Sequence, residues 1–499
     1  DITRPVHYEA AQGNPSVEGY QVKSYPPNPG HLQNPVDQYY VDVISRFYPS
    51  FSFIHQLVAQ AGDNRPIFFS EYAHSMGNST GNMKELWDVF RSSPRIIGGC
   101  IWDYMDQGLL KRDDNGVEFF AYGGGFGDKP NDKNFCINGI VASDGRPKSA
   151  MFECKRVYQP VETTLLDPQT AIVHIRNRAA VLNTNHYQAI FSVIRNGEEV
   201  IHKIPPDLDI PPSGSMQFDL KPYLPDMSDS SKAEYIGKLA FCLKANTPWA
   251  EKGMEVASNQ IALSGIVSRE EELHIPGDEN LGLIETDQSW YVHGDQFALQ
   301  FSKLNGALSS FIFQGDTLLN QALLPNFSRP LTDNEFAGWK PHEKLKGWYH
   351  PHLRLINTEP AFSGTDKKSL SVKSTYEIME GKAQVFVTYK VNSHGAVHVS
   401  FDLYTKESLP NLPKVGMSCG INNNFKWIKW YGKGPLENYA DKSYGADLGI
   451  YTLPIDQFME PYVMPQENGN RTGVRWMYLS DGAFGLQVVA DSILNMSAW

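Results

Sequence analysis

The sequence predicts a mixed chain: an α/β stretch forming half of a (β/α)8 barrel, then an immunoglobulin-like β-sandwich, then a large β-sandwich. Three observations carry this. Residues 1–158 alternate short, near-continuous apolar runs with stretches of helical spacing, as parallel strands buried on both faces require. Residues 159–267 and 268–499 instead alternate apolar and polar positions and break at Asn-Gly turns, the pattern of antiparallel sheets. At 499 residues the chain is also too long for one core, so about two to four domains are expected.

Taken in order, the runs 5–9, 41–48, 66–72 and 96–103 read as strands. Between the last two, Met83, Leu86, Trp87 and Phe90 recur at helical spacing, after an Asn/Ser/Thr-rich capping stretch at 78–82. Four such units make half a barrel. In the next segment Tyr187, Ala189, Phe191 and Val193 alternate, Asn196-Gly197 turns the chain, and 200–204 returns. Leu239, Phe241 and Leu243 repeat the alternation, and about 100 residues of this kind suit an immunoglobulin-like sandwich. Ser268-Arg269-Glu270-Glu271-Glu272 reads as a linker. Beyond it Phe297, Leu299 and Phe301 alternate, Asn305-Gly306 turns, and 308–313 runs back. The runs 385–390 and 396–404 form a further hairpin pair. With no helical periodicity in this last part, one large sandwich is expected.

Composition narrows the function classes. Hydrophobic content of 41% and charged content of 20% are those of an ordinary soluble protein. A net charge of −12 argues against nucleic acid and anionic membranes, both of which call for a basic surface. No apolar run approaches the ~20 residues that span a bilayer. Cys100, Cys136, Cys154, Cys242 and Cys419 lie far apart and are odd in number, so buried free thiols are expected rather than disulfides or a zinc site. The chain opens at Asp1 without a Met or signal peptide. Its true N-terminus is therefore expected elsewhere, and a cytoplasmic or periplasmic location stays open.

Active residues of such barrels gather at the C-terminal ends of strands. Those ends hold Tyr48, Glu71 and Trp102-Asp103. Glu71 closes the run Ile67-Phe68-Phe69-Ser70, so its carboxylate is expected at a barrel mouth rather than on a solvated face. A carboxylate among aromatics and a histidine suits glycoside hydrolysis, where rings stack on sugar faces and the carboxylate meets an oxocarbenium-like centre. Other patterns read as bland. Gly123-Gly124-Gly125-Phe126-Gly127 lacks the Lys-Ser/Thr of a phosphate loop, and His350-Pro351-His352 lacks clustered metal partners. Asn78-Ser79-Thr80 and Asn470-Arg471-Thr472 match the glycosylation pattern, which arises often by chance.

Several ordered blocks carry a resemblance. The block 65–79, containing Ser70-Glu71-Tyr72-Ala73-His74, is similar to the nucleophile signature of family 2 β-galactosidases. The blocks 98–107, 122–132 and 135–139 resemble the last barrel strand and its loop, and 431–439 and 465–469 resemble the C-terminal sandwich. The resemblance spans essentially the whole chain and makes it the C-terminal portion of such an enzyme, with the C-terminal half of the barrel. It implies retaining hydrolysis of terminal β-D-galactosides of the lactose type through a galactosyl-enzyme intermediate, with Glu71 as nucleophile. Tyr48 then hydrogen-bonds that carboxylate, His74 contacts a galactose hydroxyl, and Trp102 forms the apolar wall under the sugar. The Phe135 carbonyl and the Asn138 side chain match ligands of a sodium ion that holds the 6-hydroxyl. A homo-oligomer is implied in the same way. A β-glucuronidase or related exo-glycosidase, and a non-catalytic carbohydrate-binding module, are the alternatives.

A retaining glycosidase needs two carboxyl groups about 5–5.5 Å apart. In the family the acid/base glutamate lies upstream of residues 4–9, near a magnesium or calcium site, so the segment alone is expected to be inactive. Glu9, Glu18, Asp103 and Asp106 match no family acid. The chain is also expected to stop short of the last strands of the family's final domain.

Overall fold

A computed structural model describes residues 3–8, 41–59, 63–267 and 280–498. The 268–272 linker reading, Glu9 and Glu18 lie outside the described residues.

The first part is a parallel sheet covered by helices on one side. Strands β1 (Ile44–Phe47), β2 (Ile67–His74) and β3 (Ile96–Trp102) pair in the order β1-β2-β3. Of the expected strand at 5–9, the described residues show a parallel bridge, His7 to Val43. Helices α1 (Phe51–Ala59) and α2 (Met83–Arg91) connect the strands. The hairpin β4 (Leu109–Arg112) and β5 (Glu118–Ala121) follows β3, and α3 (Ser149–Val157) closes the unit. Each helix buries a stripe at helical spacing: Phe53, Ile54 and Leu57 on α1, Met83, Leu86 and Phe90 on α2, Ala150, Cys154 and Val157 on α3. These meet Ile44, Ile67, Phe69 and Tyr72 in one core. The expected cap of α2 is corrected in detail. Asn82 occupies the cap position without a side-chain cap bond, and its N–H instead donates to the Asp441 carbonyl, 2.7 Å away.

The second part has two facing antiparallel sheets. One contains β6 (Val161–Asp167), β7 (Ile172–Asn177) and β10 (Ser215–Asp219); the other contains β8 (Tyr187–Arg195), β9 (Glu198–Lys203), β11 (Tyr235–Leu243) and β12 (Glu255–Ala262). Phe191, Val193, Leu239 and Phe241 point inward toward Val173 and Ile175. Asn196 (φ 50°) and Gly197 (φ 92°) make the β8–β9 turn, where both positions need positive φ.

The last part is more divided than one large sandwich. A six-stranded sheet (282–326 with Gly416–Ile421) faces a four-stranded sheet (354–405) across a core holding Val292, Leu299, Phe301, Val372, Val385 and Tyr389. A third sheet (427–496) builds a second core around Ile428, Trp430 and Val474, and meets Leu318 on the six-stranded sheet. Helical turns at Glu335–Trp339, Pro341–Lys344 and Lys346–Tyr349 interrupt the strands. Each is shorter than the window in which periodicity can be read.

The cysteines are unpaired, but only Cys154 and Cys242 are buried; Cys100 and Cys419 are exposed. Cys100 lies on β3, the edge strand of its sheet among the described residues. No helix among the described residues is long and apolar enough to cross a membrane.

Candidate active site

Glu71 does not end its strand as the sequence suggests, because β2 continues to His74. An irregularity turns it instead. Phe69 pairs with Gly99 and Ala73 with Ile101, so four steps along β2 span two along β3; the register to β1 also slips, between Arg46 and Phe47. Strict alternation would put residue 71 on the side of residue 69. Phe69 stacks on Phe90 at 4.8 Å, and Tyr72 meets Phe90 edge-on at 5.3 Å. Phe69 and Tyr72 thus share the helix-covered face, and the bulge frees Glu71 from it. Bulges beside active sites re-aim side chains in this way.

Tyr48, just beyond β1, meets Glu71 twice. Its backbone N–H donates to the Glu71 carbonyl at 2.7 Å, and its hydroxyl donates to Glu71 Oε2 at 2.6 Å. Its φ is 44°, a left-handed conformation that costs a bulky residue about 1–3 kcal/mol. The two bonds hold Tyr48 in that conformation and aim its hydroxyl at the carboxylate.

His74, half-buried at the end of β2, pairs with Trp102 on β3. Its ring stacks on Phe135 at 5.6 Å and lies 6.1 Å from the Tyr48 ring. Burial holds its pKa below the ordinary histidine value, against the opposing influence of Asn334 and Asp333. Trp102, the last residue of β3, is 40% exposed in this chain. Its carbonyl accepts from Ser75 N–H at 2.7 Å, while the next residue's N–H, on Asp103, donates to the Asn138 carbonyl at 2.7 Å. The residues singled out from sequence therefore converge through backbone bonds, ring contacts and one carboxylate–phenol bond.

The substitute acids are otherwise engaged. Asp106 is buried against Lys148 Nζ at 2.7 Å and accepts from Gly139 N–H at 2.7 Å. Burial raises its pKa despite the lysine. Asp103 accepts from the Tyr104 backbone and the Gln107 side chain.

Residues 1–163 match the profile described as glycosyl hydrolases family 2, TIM barrel domain; 173–264 match β-galactosidase, domain 4; and 293–499 match β-galactosidase small chain. A β-galactosidase of Priestia megaterium is 33% identical, over 84% of this chain and 40% of its own length. One from Vibrio cholerae is 29% identical over 95% of this chain and 45% of its own. One from Photobacterium profundum is 30% identical over all of this chain and 48% of its own. The chain belongs to glycosyl hydrolase family 2. It spans less than half the length of these relatives.

One observation bears on the sodium ion expected for this family 2 chain. Asn138 is 1% exposed, and its side-chain oxygen is buried without a protein hydrogen-bond partner. Such an oxygen costs about 1–3 kcal/mol if nothing meets it. An oxygen donor of this kind fits a hard alkali cation. Among the described residues no group of three His, Cys, Asp or Glu side chains could hold a metal.

The sequence reading missed the contribution of the last part of the chain. Asn334 bonds both the ring and the carbonyl of His74 (2.7 and 3.0 Å), and Asp333 accepts from Asn134 at 3.0 Å. Gln466 joins Asp333 to the backbone of Asn78. The only sequence signal was the block 465–469, which carried a resemblance but no role.

Proposed function

We propose that this chain forms the nucleophile-bearing part of a retaining β-galactosidase, with the C-terminal half of a (β/α)8 barrel followed by an immunoglobulin-like sandwich and the C-terminal β region. The observation that carries the reading is Glu71, turned off the helix face by the β2 bulge and hydrogen-bonded by Tyr48 at 2.6 Å. Glu71 attacks the anomeric carbon of a terminal β-galactoside as the bond to the leaving oxygen breaks. That oxygen takes a proton from a second carboxyl group, which the family supplies upstream of this sequence. Water then attacks the same carbon, gives its proton to the second carboxylate and releases Glu71. The Tyr48 hydroxyl donates to the free carboxylate, so it limits its basicity and favours its departure. Trp102 supplies an exposed indole for the apolar face of the sugar, and His74 a ring nitrogen for one hydroxyl. A sodium ion at the Asn138 oxygen and Phe135 carbonyl would orient another hydroxyl.

The test uses the full-length protein and a 2-deoxy-2-fluoro-galactoside, which traps the covalent intermediate. The expected label falls on the peptide containing Glu71 and is absent in Glu71→Gln. A label on another carboxylate rejects Glu71. Binding without any label indicates a carbohydrate-binding module, and labelling only by the glucuronide counterpart indicates a glucuronidase.

A further inference from the structure

Asn334 and His74 lie 260 positions apart in the sequence and make two hydrogen bonds to each other. The Asn334 amide is 3.0 Å from the His74 carbonyl, which can only accept. The NH2 group must therefore face that carbonyl. The amide oxygen then faces His74 Nδ1, at 2.7 Å. An amide oxygen also only accepts, so Nδ1 must carry the proton. In the neutral ring this leaves the lone pair on Nε2. The ring is held on a further side by the Phe135 stack, and the backbone that carries it by the β2–β3 pairing with Trp102. Asn334 itself is fixed by its setting. Its neighbour Asp333 accepts from the side chains of Asn134 and Gln466, at 3.0 and 2.8 Å.

We propose that Asn334 is a specificity-determining positioning residue, which fixes His74 as the Nδ1–H tautomer so that Nε2 accepts a hydrogen bond from a sugar hydroxyl. The proposal rests on the galactosidase reading and deepens it. With Nε2 as acceptor, the sugar at that position must present a hydrogen-bond donor. A fluorine in place of the hydroxyl accepts but cannot donate, so the site rejects it as strongly as hydrogen. A ring free to hold its proton on Nε2 would treat fluorine more favourably than hydrogen. A site built around one partner's polarity discriminates in this way, because the wrong partner leaves a polar group unpaired.

Two measurements test this. Long-range 1H–15N spectra of the full-length protein, with the His74 signals assigned by their loss in His74→Gln, are expected to show the proton on Nδ1. An Nε2–H tautomer overturns the proposal whether or not the protein hydrolyses galactosides. Conversely, a protein inactive on galactosides with an Nδ1–H ring defeats the functional reading and leaves the tautomer assignment standing. The second measurement compares deoxy and deoxyfluoro galactosides, substituted one hydroxyl at a time. In the wild type, one position is expected where both analogues lose kcat/KM equally, by about tenfold or more. In Asn334→Ala that position is expected to prefer fluorine over hydrogen by at least about threefold. The parent galactoside should lose mainly through KM, with kcat nearly kept. A merely structural role for Asn334 would lower all substrates together, and that outcome, or an unchanged tautomer in Asn334→Ala, overturns the proposal.

Discussion

At the scale of single residues, the bond from Tyr48 to Glu71 invites a direct substitution. Tyr48→Phe keeps the ring, its 4.6 Å contact with Phe47 and the backbone bond to Glu71, and removes one donor from the carboxylate. A hydrogen bond to a charged group is worth about 1.5–3 kcal/mol, so kcat of the full-length protein on nitrophenyl galactoside should fall about 10- to 100-fold. An unchanged kcat would remove Tyr48 from the site. Glu71 stands out in the sequence, because a carboxylate after an apolar strand run is conspicuous. How it leaves the helix-covered face was not legible there. The runs around it suggest a strand that simply ends, whereas the bulge depends on how β2 meets both neighbours. Asn138 was visible only through the resemblance. Its buried, unpartnered oxygen is a property of packing and has no local signature.

At the scale of elements, Gly99 decides how closely β3 approaches β2. A Cβ there would lie 2.5 Å from the Phe69 carbonyl oxygen and 2.8 Å from the Tyr72 ring. Both residues flank the bulge, so Gly99→Ala would push apart the two strands that carry Glu71, His74 and Trp102. Overpacking of this kind costs about 1–3 kcal/mol. Gly265→Ala, where a Cβ meets nothing within 4 Å, is the control and should stay within about 0.5 kcal/mol. Urea midpoints of the two variants check the contrast, and equal midpoints would show that the approach at Gly99 is relaxed. Elements defined by local chemistry were readable in advance. The β8–β9 and 302–308 turns follow from Asn196-Gly197 and Asn305-Gly306, and α2 from its apolar spacing. The helical turns at Glu335–Trp339 and Lys346–Tyr349 were not, since four or five residues carry too little periodicity. The missed stretch includes the approach to Asn334, the residue that reaches across to His74.

For the whole molecule, the question is what holds three parts in place around one site. Asp447, at the start of a strand in the last sheet, accepts from Arg156 of α3 at 2.9 Å and from Lys238 of β11 at 2.9 Å. One carboxylate thereby ties the barrel segment and the sandwich to the C-terminal region. A second tie runs through Glu234, which receives Tyr431 Oη at 2.6 Å and Arg475 Nε at 3.0 Å. Burial pushes the Asp447 carboxyl up, but the two cations and their hydrogen bonds outweigh it and hold its pKa below 3.8. A carboxyl depressed in the folded state adds stability that is fully present above the unfolded value and is lost as pH falls through the folded one. Lys238 behaves oppositely. Burial lowers its pKa, yet Asp447 and Glu255 raise it above 10.5, so its contribution persists until pH rises beyond that value. Across neutral pH the junction is thus fully charged. Asp447→Asn leaves two cations without their shared partner. Since all three side chains keep some exposure, the loss should fall between the surface and buried limits, at about 2 kcal/mol at pH 7. The difference between wild type and Asp447→Asn should hold down to about pH 4 and shrink below 3.8, where the wild-type carboxylate takes up its proton. Urea midpoints at pH 7, 5 and 3 measure this, and a difference that stays constant at pH 3 would show that the junction owes its strength to packing rather than charge.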